Sequence, residues 1–202
     1  MKAHWEKIYQ TLLPTEVSWY QERPDLSLRL INIAGITSQD SILDVGGGTS
    51  MLVDYLLDAG LTQLTVLDLS AAAIQQTQAR LGDKGSQVQW IEADVTTFQP
   101  PQRYKLWHDR AVFHFLTAAR DRTNYVQVLK AALLPESYVI IATFAADGPQ
   151  KCSGLEVVRY DAPKIRAELG NEFELLEIQH ESHATPKQAE QKFTYFLFKY
   201  LG

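Results

Sequence analysis

The chain has one cysteine, Cys152, so no intramolecular disulfide can form and no Cys-x-x-Cys redox or zinc pair exists. It has no apolar run long enough to span a bilayer, and the opening Met1–Glu6 segment lacks the apolar core of a signal peptide. The expected location is therefore the cytoplasm, with no membrane partner. Clusters of lysine or arginine are missing and the net charge is −5, which argues against a broad grip on nucleic acid. No internal repeat, low-complexity tract or long linker interrupts the chain. The histidines also lack metal spacing. His180 and His183 fall on opposite faces of a strand pattern, and His108 and His114 are not one helical turn apart. No metal site is expected. The 202 residues, 46% of them hydrophobic, suffice for one domain with a sizeable core.

What is present begins with Ser41-Ile42-Leu43-Asp44-Val45-Gly46-Gly47-Gly48, an apolar strand with an acid that runs into a glycine turn. A second apolar run, Leu64–Leu67, ends in Asp68, about 20 residues beyond the turn. An acid at that distance is where a nucleotide ribose is gripped. The dinucleotide fingerprint wants a third small residue, and here Met51 stands in that place. Asp44 would repel a pyrophosphate but attract the ammonium of a methionine moiety. The pattern therefore favours S-adenosylmethionine over a nicotinamide dinucleotide. A third run, Val88–Ala93, ends in Asp94-Val95, where a carboxylate can accept a hydrogen bond from the adenine amine. A fourth, Tyr104–Trp107, leads into His108-Asp109-Arg110. Four strand tips ending in polar residues point to one ligand rim, since open α/β sheets bind ligands at their carboxyl ends.

Helical periodicity covers residues 3–13, Ser27–Ala34, Met51–Ala59, Ala71–Leu81, Asp121–Ala132 and Asp161–Leu169, with a short helix at Ala111–Ala119. Strand patterns recur at Tyr138–Phe144, Phe173–Ser182 and Lys192–Leu201. Strands alternating with helices predict a mostly parallel sheet with right-handed crossovers. The expected fold is α/β, a Rossmann-like three-layer sandwich. Its mixed seven-stranded sheet should have the last strand pair antiparallel. The expected organisation is a single domain over 1–202, with a helical lead-in and lid at 1–35 and the core at 36–202.

The Leu43–Gly48 turn, the Val66–Ser70 acid strand, Ile91–Val95 and Leu106–Leu116 resemble a class I S-adenosylmethionine-dependent methyltransferase. His4–Tyr9, Val17–Gln21, Trp107–Leu116, Ala142–Leu155 and His183–Pro186 resemble small prokaryotic members of unassigned substrate. The chain departs at Lys187-Gln188, where such relatives have a larger residue and then glycine. The resemblance implies that Asp44, Gly46, Gly47 and Gly48 meet the methionine moiety. It places Asp68 on the ribose, Leu69, Asp94 and Val95 on adenine, and Trp19 over the cofactor, with Asp109 and Arg110 beside it. On the acceptor side stand Tyr20, His114, Arg159 and Tyr160. His114 is the first candidate base and His108 the second, and Cys152 is expected to be a passive buried residue. The implied activity is methyl transfer to a small molecule. The alternatives are a protein (lysine) acceptor and a non-catalytic cofactor-binding regulatory module.

Overall fold

The structure is a computed structural model covering residues 1–202. Six helices, α1 (Lys2–Thr11), α2 (Asp25–Ile33), α3 (Leu52–Asp58), α4 (Ala71–Leu81), α5 (Ala119–Ala132) and α6 (Ala162–Leu169), alternate with the strands. Five strands run parallel: β1 (Ile42–Val45), β2 (Leu64–Asp68), β3 (Val88–Glu92), β4 (Tyr104–Arg110) and β5 (Leu133–Phe144). A separate short hairpin, β6 (Lys151–Cys152) and β7 (Leu155–Glu156), follows. β8 (Phe173–Ala184) and β9 (Glu190–Tyr200) then close the sheet antiparallel, in the order β3-β2-β1-β4-β5-β9-β8. This is the mixed seven-stranded Rossmann-like sheet with an antiparallel last pair.

Local chemistry sets the element ends. The Ser70 hydroxyl accepts from Ala73 N–H to start α4, and Gly82, at φ 55°, stops it. Asp161 caps α6 through Lys164 N–H, and Gly170, at φ 89°, ends it. The sheet is buried on both sides, so its central strands are apolar on both faces. Leu43, Trp107, Val139 and Ile141 pack with α5 and α6. Ile42, Leu106, Ile140 and Ala142 pack with α2 and α3. That alternation decides which way each residue of β4 points.

Four elements differ from the sequence expectation. β4 continues through His108, Asp109 and Arg110, so these residues lie within the strand rather than beyond it. The helix expected over Ala111–Ala119 is a 3₁₀ turn at Phe113–Phe115, with α5 starting only at Ala119. Ala111 takes φ 70° and breaks any helical run from β4. β5 begins earlier than expected, with a register irregularity opposite Tyr104–Leu106, and the β6–β7 hairpin carries too little pattern to be read. In the β8–β9 turn Gln188 holds φ 62°, so the left-handed position that glycine would fill is kept without the glycine.

Candidate active site

The strand order reverses between β1 and β4, and a cavity of about 240 Å³ opens at their carboxyl ends. Gly46, Asp68, Leu69, Asp94 and Val95 line it from the β1, β2 and β3 side. Trp5, Tyr9 and Trp19 come from the lead-in, Arg110, Ala111 and Phe115 from the end of β4, and Cys152 from the hairpin. A smaller adjoining pocket is lined by Tyr20, Gln21, Asp44, Gly47, His108 and Arg110.

The glycine turn is shaped by close approaches. Gly46 has φ 67°, and a Cβ there would lie 2.1 Å from Val112 Cγ2. A Cβ on Gly47 would lie 2.3 Å from Asp44 Oδ2, and one on Gly48 would lie 2.5 Å from Asp68 Oδ2. The turn therefore brings backbone against two carboxylates where no side chain fits. Asp44 is buried, and its Oδ1 meets His108 Nδ1 at 2.7 Å. Its Oδ2 is buried with no partner, and a buried carboxylate oxygen without a donor is costly unless a ligand supplies one. Asp68 accepts Gly48 N–H at 3.0 Å and Ser70 N–H at 2.8 Å. Burial nevertheless pushes its carboxyl up to about 6. Each of its oxygens keeps a lone pair for a hydroxyl donor. Asp94 is exposed, with Oδ1 turned to Thr96 N–H and hydroxyl, while Val95 is buried in the cavity wall. The unpartnered Asp44 oxygen, the bare glycine backbone and the Asp68 carboxylate fit the ammonium and ribose of S-adenosylmethionine.

The lead-in covers this rim. Glu6 of α1 accepts the Ser70 hydroxyl at 2.7 Å and Ala72 N–H at 3.2 Å, at the N-terminus of α4. Trp5 packs edge-on against Trp19 at 5.5 Å and Phe115 at 4.9 Å. The sequence does not single out Trp5, Tyr9 or Phe115 as cavity residues, because a helical apolar stripe looks the same whether it covers a core or a ligand. Ala111 also escaped notice. Its strained turn is held by Ala111 N–H to Ala142 C=O at 2.8 Å, and by Asp109 accepting the N–H groups of Val112 and Phe113.

Several expected roles are corrected by position. Asp109 does not face the cofactor side. Its carboxylate takes the Tyr125 hydroxyl at 2.7 Å as well as those two N–H groups, and Tyr125 in turn accepts Trp107 Nε1–H at 2.8 Å. This is a buried structural chain, and burial pushes the Asp109 carboxyl up to about 6. Arg110 does line the cavity, and it pairs with Glu181. His108 has both ring nitrogens engaged, on Asp44 and on Ser27 Oγ at 2.8 Å, so it orients Asp44 rather than serving as a free base. His114 is fully buried beside Phe115, Phe144 and Phe193, and its Nδ1 accepts Phe144 N–H. Burial holds its ring neutral, with a value lowered to about 3, and it is absent from the cavity wall. Tyr160 packs on Phe113 within the core at 5.2 Å rather than on an acceptor. Arg159 donates to Gly148 C=O at 3.1 Å, outside both pockets. Cys152 was expected to be passive but borders the cavity, with its thiol pushed up to about 11 by burial.

The fold matches the Rossmann-like fold of S-adenosylmethionine-dependent methyltransferases. Residues 42–136 match a family model described as a methyltransferase domain. Over 159 residues the chain is 24% identical to the zebrafish (Danio rerio) EEF1A lysine methyltransferase 2, covering 70% of this chain and 67% of that protein. The structure of a Burkholderia thailandensis 1,6-didemethyltoxoflavin-N1-methyltransferase, bound to 1,6-didemethyltoxoflavin and S-adenosylhomocysteine, superposes with a TM-score of 0.74. It is 17% identical and covers 100% of this chain and 87% of its own. The N-methyltransferase NodS from Bradyrhizobium japonicum WM9, bound to S-adenosylhomocysteine, superposes at 0.70 with 13% identity and 98% of each chain. At these identities the structures establish the fold. The domain match over residues 42–136 supports an S-adenosylmethionine-dependent methyltransferase, with S-adenosylmethionine as the cofactor.

Proposed function

We propose that the chain transfers a methyl group from S-adenosylmethionine to a small-molecule acceptor. Asp44, oriented by His108, holds the ammonium of the methionine moiety over the Gly46–Gly48 backbone. Asp68 accepts from the ribose hydroxyls, Leu69 and Val95 flank adenine, and Asp94 meets its edge. When bound, S-adenosylmethionine supplies the methyl as a sulfonium whose thioether leaves without acid catalysis. The chain then has to align the acceptor and exclude water. Trp5, Trp19 and Phe115 do this as an aromatic cover over the cavity.

The carrying observation is that covered, aromatic-walled cavity, which suits a small planar or apolar molecule better than a peptide. The wall formed by Trp5, Trp19, Ala111, Phe115, Cys152 and Arg110 offers no base, and the carboxylates lining the same cavity are Asp68, Asp94 and Asp121. Cys152 stays a thiol and Arg110 is a cation. An acceptor that brings its own free lone pair, as a neutral aromatic nitrogen or an acidic thiol does, needs no base from this part of the wall. A lysine acceptor is the second reading, favoured by the likeness to EEF1A lysine methyltransferase 2. Incubation with methyl-labelled cofactor and a cell extract separates the two. Label is expected in the low-molecular-weight fraction. Label confined to protein would favour lysine, and cofactor binding with no label in either fraction would favour a regulatory module.

A further inference from the structure

Arg110 places a buried cation in the wall of a cavity that must admit a positively charged sulfonium, and one carboxylate answers it. Its side chain is only 10% exposed, and that of Glu181 is 16% exposed. Glu181 stands on β8, at the far edge of the sheet and 71 residues further along the chain (181 − 110). Its Oε2 lies 3.5 Å from Arg110 Nη2, a charge contact with no hydrogen bond, and accepts the Tyr195 hydroxyl at 2.9 Å. Tyr195 in turn accepts Arg110 Nε–H at 2.7 Å. The other Glu181 oxygen takes the Gln21 amide at 2.7 Å, and Arg110 Nη1 donates to Trp19 C=O at 2.9 Å. One carboxylate thus neutralises the cation and, directly and through Arg110, holds the lead-in that carries Trp19.

An arginine left unpaired in this wall would repel the sulfonium and leave its neutral thioether product unaffected. We propose that Glu181 is a positioning residue that sets the charge of the donor cavity: by cancelling Arg110 it lets the cavity hold a sulfonium, and it fixes the covering arm in the same contact. The inference rests on the cofactor assignment and adds a residue and a role to it.

The test compares S-adenosylmethionine with S-adenosylhomocysteine, ligands that differ by the methyl and its charge, by calorimetry on the full chain. Glu181→Gln is expected to weaken S-adenosylmethionine about tenfold more than S-adenosylhomocysteine, the scale of one unscreened charge at partly buried separation. Arg110→Gln alone, with Glu181 left negative, is expected to shift the ratio the other way. The double variant is expected to bring it back to the wild-type ratio. Glu174→Ala, an exposed acid on the same strand, is expected to change nothing. A purely structural role for Glu181 would lower both affinities alike, and that result overturns the proposal. If Glu181→Gln does not fold, the sign of the Arg110→Gln shift decides, and an unchanged or reversed ratio overturns it. A wild-type protein that binds neither ligand removes the cofactor reading and this inference together.

Discussion

In the proposed function Asp44 and Asp68 carry the site, and each stands out in the sequence for a different reason. Asp44 stood out as an acid where a pyrophosphate site would avoid one, and the structure leaves one of its oxygens without a donor. Asp68 stood out by its distance from the glycine turn. Its folded value of about 6 lies above the 3.8 of a free carboxylate. The folded chain therefore takes up a proton between those values. The stability tied to this group is full below pH 3.8 and is lost as pH rises toward 6. Hydroxyl donors of a ribose favour the charged carboxylate, so binding releases that proton. Affinity for S-adenosylhomocysteine is expected to rise from pH 5 to 7 and then level off. Asp68→Asn should flatten that rise and weaken binding at pH 7 by about 1–3 kcal/mol through lost charge-assisted hydrogen bonds. Calorimetry across that range checks it, and an unaltered pH profile in Asp68→Asn would contradict the ribose assignment. His114, Asp109 and Tyr160 were misplaced because polar residues near a strand end look alike in sequence. Only packing shows that Asp109 closes on Tyr125 and that His114 is enclosed by three phenylalanines.

At the scale of elements, the helices with clear caps were read nearly to the residue, as with α4 between Ser70 and Gly82. β4 was cut short because His108, Asp109 and Arg110 are polar, yet each finds a buried partner that sequence spacing does not reveal. Those partners, Asp44, Tyr125 and Tyr195, lie 64, 16 and 85 positions away. The sequence places the N-terminal helix α1 in a lead-in and lid but does not single out Trp5 and Tyr9 as cavity-lining, since their stripe is equally that of a core helix. The β8–β9 turn offers a test at this scale. Gln188 sits at φ 62°, where a side chain is strained by about 1–2 kcal/mol. Gln188→Gly should relieve part of that, offset by the greater freedom glycine has when unfolded. The expected net gain is about 0.5–1 kcal/mol in denaturant unfolding, with cofactor affinity unchanged. A destabilised variant would mean that the Gln188 side chain holds the turn.

Across the whole molecule, the reversal of strand order between β1 and β4 creates the crevice, and residues from both ends of the chain finish it. Glu6 and Trp19 come from the first 20 positions, and Glu181 comes from the last strand pair. The sheet and its glycine turn were legible because they follow local periodicity. The sequence suggests a lid at 1–35 with Trp19 over the cofactor, but not its anchors, because these join segments about 160 residues apart, as Gln21 and Glu181 do. The central claim is that this rim holds a sulfonium nucleoside on bare glycine backbone between Asp44 and Asp68. Calorimetric titration of the purified chain with S-adenosylhomocysteine and with NAD, alongside Gly48→Ala, tests it most directly. The added methyl would lie 2.5 Å from Asp68 Oδ2 and 2.8 Å from Ala73 Cβ. The wild-type chain should bind S-adenosylhomocysteine and ignore NAD, and the folded Gly48→Ala variant should bind neither. Uptake of NAD in place of S-adenosylhomocysteine, or undiminished binding by Gly48→Ala, would contradict the account.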